Sequence, residues 1–410
     1  MIRTLLLISI LFMMTGHSNV YGQSLDSILQ LVVENNLELK SLHLEYETEL
    51  LNIEQVRQLQ NPEFGVGIPV LQPETRLGPQ VMMIGASQMF PWFGTQQAKE
   101  DVVISMSKAK YERISSVRLE LFNKVEIAYH QLVFLEAKQK VLSNIIVQFE
   151  ALYKVALSKV EGGGSMANPL RIQLKMDELN QMLLKLNVSK ESLYAKINAL
   201  TFQPWETVIQ PEAIGLQVLD FDLEAYKVKI KEHYPMILKM NKEIEVSRNK
   251  QIVSKKMGSP MIGIGLDYAL VNERTDMNPE YNGRDILVPK VKLSIPIYRK
   301  SYRAIQKQET LRQNTLELRK ESLETRIIGE LLKHKSEYDN ALLDIELNER
   351  QVETTNIVLN LLLTEYSNNN RDFDDLLQIQ NQLLNYEIGL EKAMMRSKIA
   401  VSNIKRFTDY

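Results

Sequence analysis

The sequence predicts a mainly α-helical chain with a small β contribution: long coiled-coil helical hairpins, written twice, and four short strands. Three observations carry this reading. Apolar residues recur by sevens over stretches far longer than a globular domain uses. Two pairs of short segments alternate apolar with other residues at a period of two. The order of these elements repeats once along the 410 residues.

Composition agrees with long helices. Glycine (17) and proline (13) are scarce for this length, which disfavours turn-dense all-β or linker-rich chains. Apolar residues make up 44% and charged residues 24%, so the chain can bury a large core. The formal net charge of −2 leaves no basic surplus for nucleic acid. Cysteine is absent, which excludes disulfides, thiolate metal sites, cysteine nucleophiles and N-terminal lipoprotein acylation.

Residues 1–22 read as a secretory signal peptide. Arg3 is the positive region, Leu5 to Met14 the short apolar stretch, and Val20-Tyr21-Gly22 a small-residue cleavage site that leaves Gln23 first. No later segment has 18 consecutive apolar residues, so no transmembrane helix is expected. An exported chain of this kind is periplasmic, secreted, or a strand-built barrel of the outer membrane.

The duplication defines the domains. Asn61-Pro62-Glu63-Phe64-Gly65-Val66-Gly67 resembles Ser259-Pro260-Met261-Ile262-Gly263-Ile264-Gly265, 198 positions later. The same offset carries Leu25 to Leu223, where both copies open a helix. The first repeat is 23–200 and the second 223–410, joined by a hinge at 201–222 that holds Pro204, Trp205, Pro211 and Gly215.

Each repeat runs helix, strand, loop, strand, very long helix, tight turn, helix. The opening helices are expected at about 25–58 and 223–257, stopped by Pro62 and Pro260. The strands follow. Ile262, Ile264, Leu266, Tyr268 and Leu270 alternate with Gly263, Gly265, Asp267 and Ala269. Leu287, Pro289, Val291, Leu293 and Ile295 alternate with Lys290, Lys292 and Ser294. Met82, Ile84, Ala86, Gln88 and Phe90 give a less clean counterpart in the first repeat.

The long helices carry Ile114, Leu121, Ala128, Leu135, Leu142, Phe149 and Ala156, and later Leu331, Tyr338, Ile345, Val352, Leu359 and Tyr366, all spaced by seven. At 1.5 Å per residue the first of them is on the order of 100 Å long. Gly162, Gly163, Gly164 and Ser165 form its turn. Asn368, Asn369, Asn370, Arg371 and Asp372 form the counterpart, since asparagine tolerates left-handed backbone. Asp372, Asp374 and Asp375 crowd the next helix start, where the helix dipole favours carboxylates and capping alone accounts for one of them.

Four strands of about ten residues suit a tilted membrane crossing, yet four cannot close a barrel. Three chains would supply twelve, with the long helices as a tube below. The other reading is a small soluble sheet on a coiled-coil protein.

The order of elements, the duplication, Asn61-Pro62 and Gln88-Met89-Phe90-Pro91-Trp92-Phe93-Gly94 resemble the TolC-type outer-membrane efflux factors over nearly the whole mature chain. Leu77-Gly78-Pro79-Gln80 followed by Met89 to Gly94 is most similar to members that accompany heavy-metal RND-type pumps. The resemblance implies a homotrimer in outer-membrane lipid, with a helical tunnel in the periplasm. It also implies a periplasmic adaptor (membrane fusion protein) and an inner-membrane RND-type or other pump as partners, no cofactor and no catalysis.

The resemblance further implies that the hairpin tips, Gly162 to Ser165 and Asn368 to Asn370, meet the adaptor, and that acids of the second hairpin narrow the aperture. Asp375 takes the first of two such acidic positions. The second falls on Gln378, a departure from the family pattern that leaves Asp372 and Asp374 as replacements, with Arg371 as partner for an acid on an adjacent hairpin. Phe90, Trp92, Phe93 and Tyr298 fall at the periplasmic edge of the barrel, as interface aromatics or as filling for the barrel–helix junction. The loops near 70–80 and 269–286 would face outside.

Other features make no site. His130 and His334 follow Glu126 and Glu330 by four residues, an ordinary helix-surface spacing, and no histidine pair has metal-ligand spacing. There is no phosphate-binding glycine loop, no GxSxG and no HExxH. The expected function is a passive exit duct for small solutes such as metal cations or drugs. The alternatives are a periplasmic coiled-coil adaptor or scaffold, and an exit duct for protein secretion.

Overall fold

The computed structural model describes residues 24–213, 215–367 and 373–409. The predicted signal peptide and Asn368, Asn369, Asn370, Arg371 and Asp372 lie outside the described residues. The chain divides into two compact units. One comprises Met1–Leu39, Val117–Lys227 and Ile327–Tyr410, and the other Lys40–Ser116 and Val228–Arg326.

In chain order the elements are α1 (Leu25–Asn35), α2 (Leu37–Arg57), β1 (Glu63–Gly67), β2 (Glu74–Thr75), β3 (Gly78–Phe90), α3 (Thr95–Glu161), α4 (Ala167–Thr201), α5 (Leu223–His233), α6 (Pro235–Met257), β4 (Met261–Val271), β5 (Ile286–Ser294), α7 (Lys300–Ser367) and α8 (Phe373–Thr408). Helices dominate, and the strands form one antiparallel sheet ordered β1-β3-β4-β5, with the two-residue β2 on the loop end of β3.

The opening helix of each half is not continuous, as the sequence reading had it. Asn36 breaks the first. Its Oδ1 accepts from the Glu38 and Leu39 amides at 3.0 and 3.2 Å, capping α2, while its Nδ2 donates to the Leu200 carbonyl at 2.9 Å. Tyr234 breaks the second, because Pro235 at the first position of α6 keeps the preceding residue extended. The two breaks are 198 positions apart, the offset of the internal match.

In the first unit the heptads of α3 and α7 face inward. Leu142, Phe149 and Ala156 of α3 pack with Ile172, Leu179 and Leu186 of α4, Leu359 and Tyr366 of α7, and Phe373, Leu376 and Leu383 of α8 in one core. Each buried leucine contributes about 2 kcal/mol of transfer free energy, so this seam holds the two hairpins together. Among the described residues α3 is the one helix long and apolar enough, by composition, to cross a membrane. Its heptad seam gives that apolar content a use within the protein. The 201–222 segment is tied to the helices by two tyrosines. The Tyr129 hydroxyl accepts from the Glu212 amide at 2.8 Å; the Tyr338 hydroxyl accepts from Leu219 N at 3.2 Å and donates to Gln217 O at 3.0 Å.

Candidate channel surfaces: the sheet and the hairpin tips

The second unit presents the sheet. Register sets Phe90, Gln88, Ala86 and Ile84 of β3 opposite Ile262, Ile264, Leu266 and Tyr268 of β4. Those β4 residues in turn face Leu293, Val291, Pro289 and Leu287 of β5. Phe64 and Val66 of β1 join the same face opposite Ala86 and Ile84. Side chains alternate across a strand, so these residues form one apolar face. Among the described residues nothing covers it: Val291 is 81% exposed, Val66 69%, and Leu293 and Ile264 are exposed as well. An uncovered apolar sheet of this extent in water would be a liability.

The opposite face is the more polar and is glycine-rich, with Met83, Met89, Ala269 and Val288 as its apolar members. Gly65, Gly85, Gly263 and Gly265 lie there with Ser87, Asp267, Lys290 and Lys292. Lys290 pairs with Asp267, and Lys292 Nζ donates to Ser87 Oγ at 3.0 Å. The outer strands β1 and β5 each have one ladder edge without a partner strand among the described residues.

At the end of the sheet reached by β2 the two loops pack on each other. Gly283 N donates to Leu77 O at 2.8 Å and Asn272 N to Pro79 O at 2.9 Å. Arg274 bonds Asp276 through two nitrogens and reaches the Thr75 carbonyl at 3.3 Å. Gly78, at φ 132°, brings its Cα so close to Asn272 that a Cβ would stand 1.8 Å from the Asn272 carbonyl oxygen.

In the first unit the hairpin tips carry the residues singled out from sequence. Gly162, Gly163, Gly164 and Ser165 are all exposed. Gly163 has φ 94°, and the Gly164 amide returns to Lys159 O at 2.9 Å. A Cβ on Gly164 would meet that same oxygen at 2.7 Å. Ser165 Oγ accepts from Ala167 N at 3.2 Å and starts α4.

On the second hairpin, Asp374 and Gln378 are exposed and Asp375 is half-buried. Asp374 forms an ion pair with Arg171 of α4, 203 positions earlier. Arg171 was not singled out from sequence; the reading placed an arginine partner on Arg371, outside the described residues. Next to this pair, Lys159 donates to the Tyr366 carbonyl and stands 3.8 Å over the Tyr366 ring, which meets Phe373 at 5.7 Å. Burial pushes the Tyr366 hydroxyl up, and the Asn168 side chain bonds it. The ends of all four long helices therefore converge on Tyr366 and Phe373. No group of three potential metal ligands lies close together among the described residues.

The chain superposes on CusC, which forms a transmembrane channel, over 95% of each chain, with a TM-score of 0.74 at 12% identity. It superposes on the CmeC outer-membrane channel of Campylobacter jejuni over 94% of this chain and 85% of that one, with a TM-score of 0.71 at 13% identity. For the MtrE outer-membrane channel of Neisseria gonorrhoeae the figures are 94% and 88%, 0.72 and 12%. The fold is that of the TolC-type channels. No family model matches the chain, and no curated protein matches it in sequence.

Within this TolC-type fold the predicted interface aromatics follow the ends of the strands. Trp92, Phe93 and Tyr298 are exposed, with the Trp92 and Phe93 rings edge to face at 5.9 Å, and Phe90 is half-buried on the apolar face. The two histidines depart from the surface-pair reading. His130 is 4% exposed and its Nδ1 has no hydrogen-bond partner among the described residues, while His334 pairs with Glu337 at 2.8 Å. Burial, with Lys398 and Lys405 nearby, lowers the His130 pKa to about 4. Burial raises Glu126, whose carboxylate takes a bond from Ser402.

Proposed function

We propose that the chain is the protomer of a trimeric outer-membrane exit duct. The observation that carries this is the four-stranded sheet with one uncovered apolar face, one polar and glycine-rich face, and two open edges. In hydrocarbon every backbone polar group needs a partner, so open edges require closure. Joining β5 of one copy to β1 of the next gives twelve strands, apolar outside and polar inside. The superpositions on outer-membrane channels support the same reading.

The long helical hairpins then extend the duct into the periplasm. The tips around Gly162 to Ser165 and Asn368 to Asn370 meet a periplasmic adaptor coupled to an inner-membrane pump, which supplies the energy. Three copies of Asp374 and Asp375, with Arg371 and Asp372, ring the aperture at the tips. Such a ring concentrates cations and repels anions, which suits export of metal cations or cationic drugs. The channel itself binds no cofactor and catalyses nothing. The signal peptide (1–22) directs export, and the duplicated halves (23–200 and 223–410), joined by the 201–222 segment, contribute two strands and one long hairpin each.

A soluble adaptor or scaffold would leave the Val66–Ile264–Val291 face in water, which disfavours that alternative. Fractionating cells that produce the tagged protein, then sizing the detergent extract by light scattering, tests the proposal. A trimer in the outer-membrane fraction is expected. A soluble periplasmic monomer or dimer overturns it.

A further inference from the structure

We propose that the cavity where β3 hands over to α3 holds a phosphate group. The cavity is about 150 Å³, and Trp92, Thr95, Gln96, Lys99, Lys256 and Tyr302 are among its walls. Thr95, the first residue of α3, is only 3% exposed, and its Oγ1 has no hydrogen-bond partner among the described residues. A buried hydroxyl in that state is destabilising, and a bound acceptor would remove the penalty.

The surroundings supply donors and no competing acceptor charge. The Thr95 amide bonds Trp92 O at 3.0 Å and the Ala98 amide bonds Gly94 O at 3.1 Å, which leaves the Gln96 and Gln97 amides of the first turn without a carbonyl within the helix. The 67-residue α3 ends there with the positive pole of its dipole. Lys99 has no ion pair among the described residues. Lys256 Nζ gives one hydrogen to Phe93 O at 3.2 Å, which leaves two. No aspartate or glutamate lines the cavity. One hydroxyl, the Gln96 and Gln97 amides and two lysines on separate helices offer more donors than a planar carboxylate can use, and suit the oxygens of a tetrahedral anion.

Two sources offer that group. A glycerophospholipid headgroup would enter beside the exposed Trp92 and Phe93, where amphipathic rings mark a membrane edge. Free inorganic phosphate would satisfy the same donors. The site does not depend on the channel reading; the lipid source does.

The test uses the full-length protein, purified in phosphate-free detergent and melted with three probes: phosphatidylglycerol in mixed micelles, neutral diacylglycerol, and inorganic phosphate. Phosphatidylglycerol should raise the melting temperature while diacylglycerol leaves it unchanged. Lys99→Gln should weaken the apparent affinity about tenfold, a change of one decade in Kd. Thr95→Val should weaken it too, yet raise the ligand-free melting temperature by removing the orphan hydroxyl, and Thr95→Ser should restore both values. A response to inorganic phosphate alone, with the same dependence on the variants, keeps the site and assigns it to free phosphate. No response to either phosphate probe, an equal response to diacylglycerol, or affinity unchanged in both Lys99→Gln and Thr95→Val overturns the proposal. Membrane fractionation of the same preparation reports on the channel reading separately.

Discussion

The ion pair between Arg171 and Asp374 ties the start of α4 to the start of α8, and both side chains are more than half exposed. Such a pair contributes little to global stability, about 0–1 kcal/mol. Its effect is local, because it holds the start of α8 against the start of α4, beside the buried Tyr366 and Phe373. Arg171→Ser should leave the melting temperature within about 2 °C of wild type. In cells it should raise entry of bulky antibiotics, and Asp374→Asn should raise it equally without adding to Arg171→Ser. Unchanged antibiotic sensitivity at normal protein level would separate this pair from the aperture.

His130 makes a second prediction at the same scale. Its folded pKa of about 4 lies below the ordinary value of 6.5. The unfolded chain therefore binds a proton first, and stability is lost as pH falls from about 6.5 toward 4. At pH 5 the loss relative to pH 7 is about 2 kcal/mol. In His130→Gln, the fall in melting temperature between pH 7 and pH 5 should shrink accordingly. Glu126 titrates in the opposite sense but is common to both proteins, so the difference between the two slopes reports His130. Equal slopes would refute this assignment.

Among the elements, the heptads and the strand alternations were legible because they are periodic. Phe149 and Leu359 sit in the core that their spacing by seven predicts, and Ile264 and Val291 share the face that a period of two predicts. The break before Pro235 was also within reach, since proline dictates its neighbour's backbone. The Asn36 break was not, because it depends on the Leu200 carbonyl, 164 positions away. The Arg171–Asp374 pair and the orphan Thr95 hydroxyl are likewise products of three-dimensional register, to which no local pattern corresponds.

The loop elements give a sharper prediction. Gly78 joins a backbone conformation open to glycine with a contact that admits no Cβ. Gly78→Ala must push the Asn272 strand end away, at about 2 kcal/mol or more. The loops should then be cut by protease faster than in wild type while the helices resist. Wild-type cutting rates would mean that the loops tolerate separation.

For the whole molecule, the absence of cysteine makes single-cysteine labelling direct. In membranes, Lys292→Cys should react with a charged, membrane-impermeant thiol reagent, because its face would line water. Val291→Cys should react only with an apolar reagent, because its face would meet lipid. Equal labelling of the two positions by the charged reagent would place both faces in water and remove the barrel.

The pairing of β3 with β4 also sets a timetable for folding. Gln88 meets Ile264 across a gap of more than 170 residues, so the centre of the sheet is its least local contact. Closing so long a loop costs entropy before any reward, and such pairings form late. Until the second half of the chain has emerged, the hydrogen-bonding edge of β3 that faces β4 and its apolar side chains stay unpaired. The chain therefore passes through an aggregation-prone interval that its helices, with their local contacts, do not share.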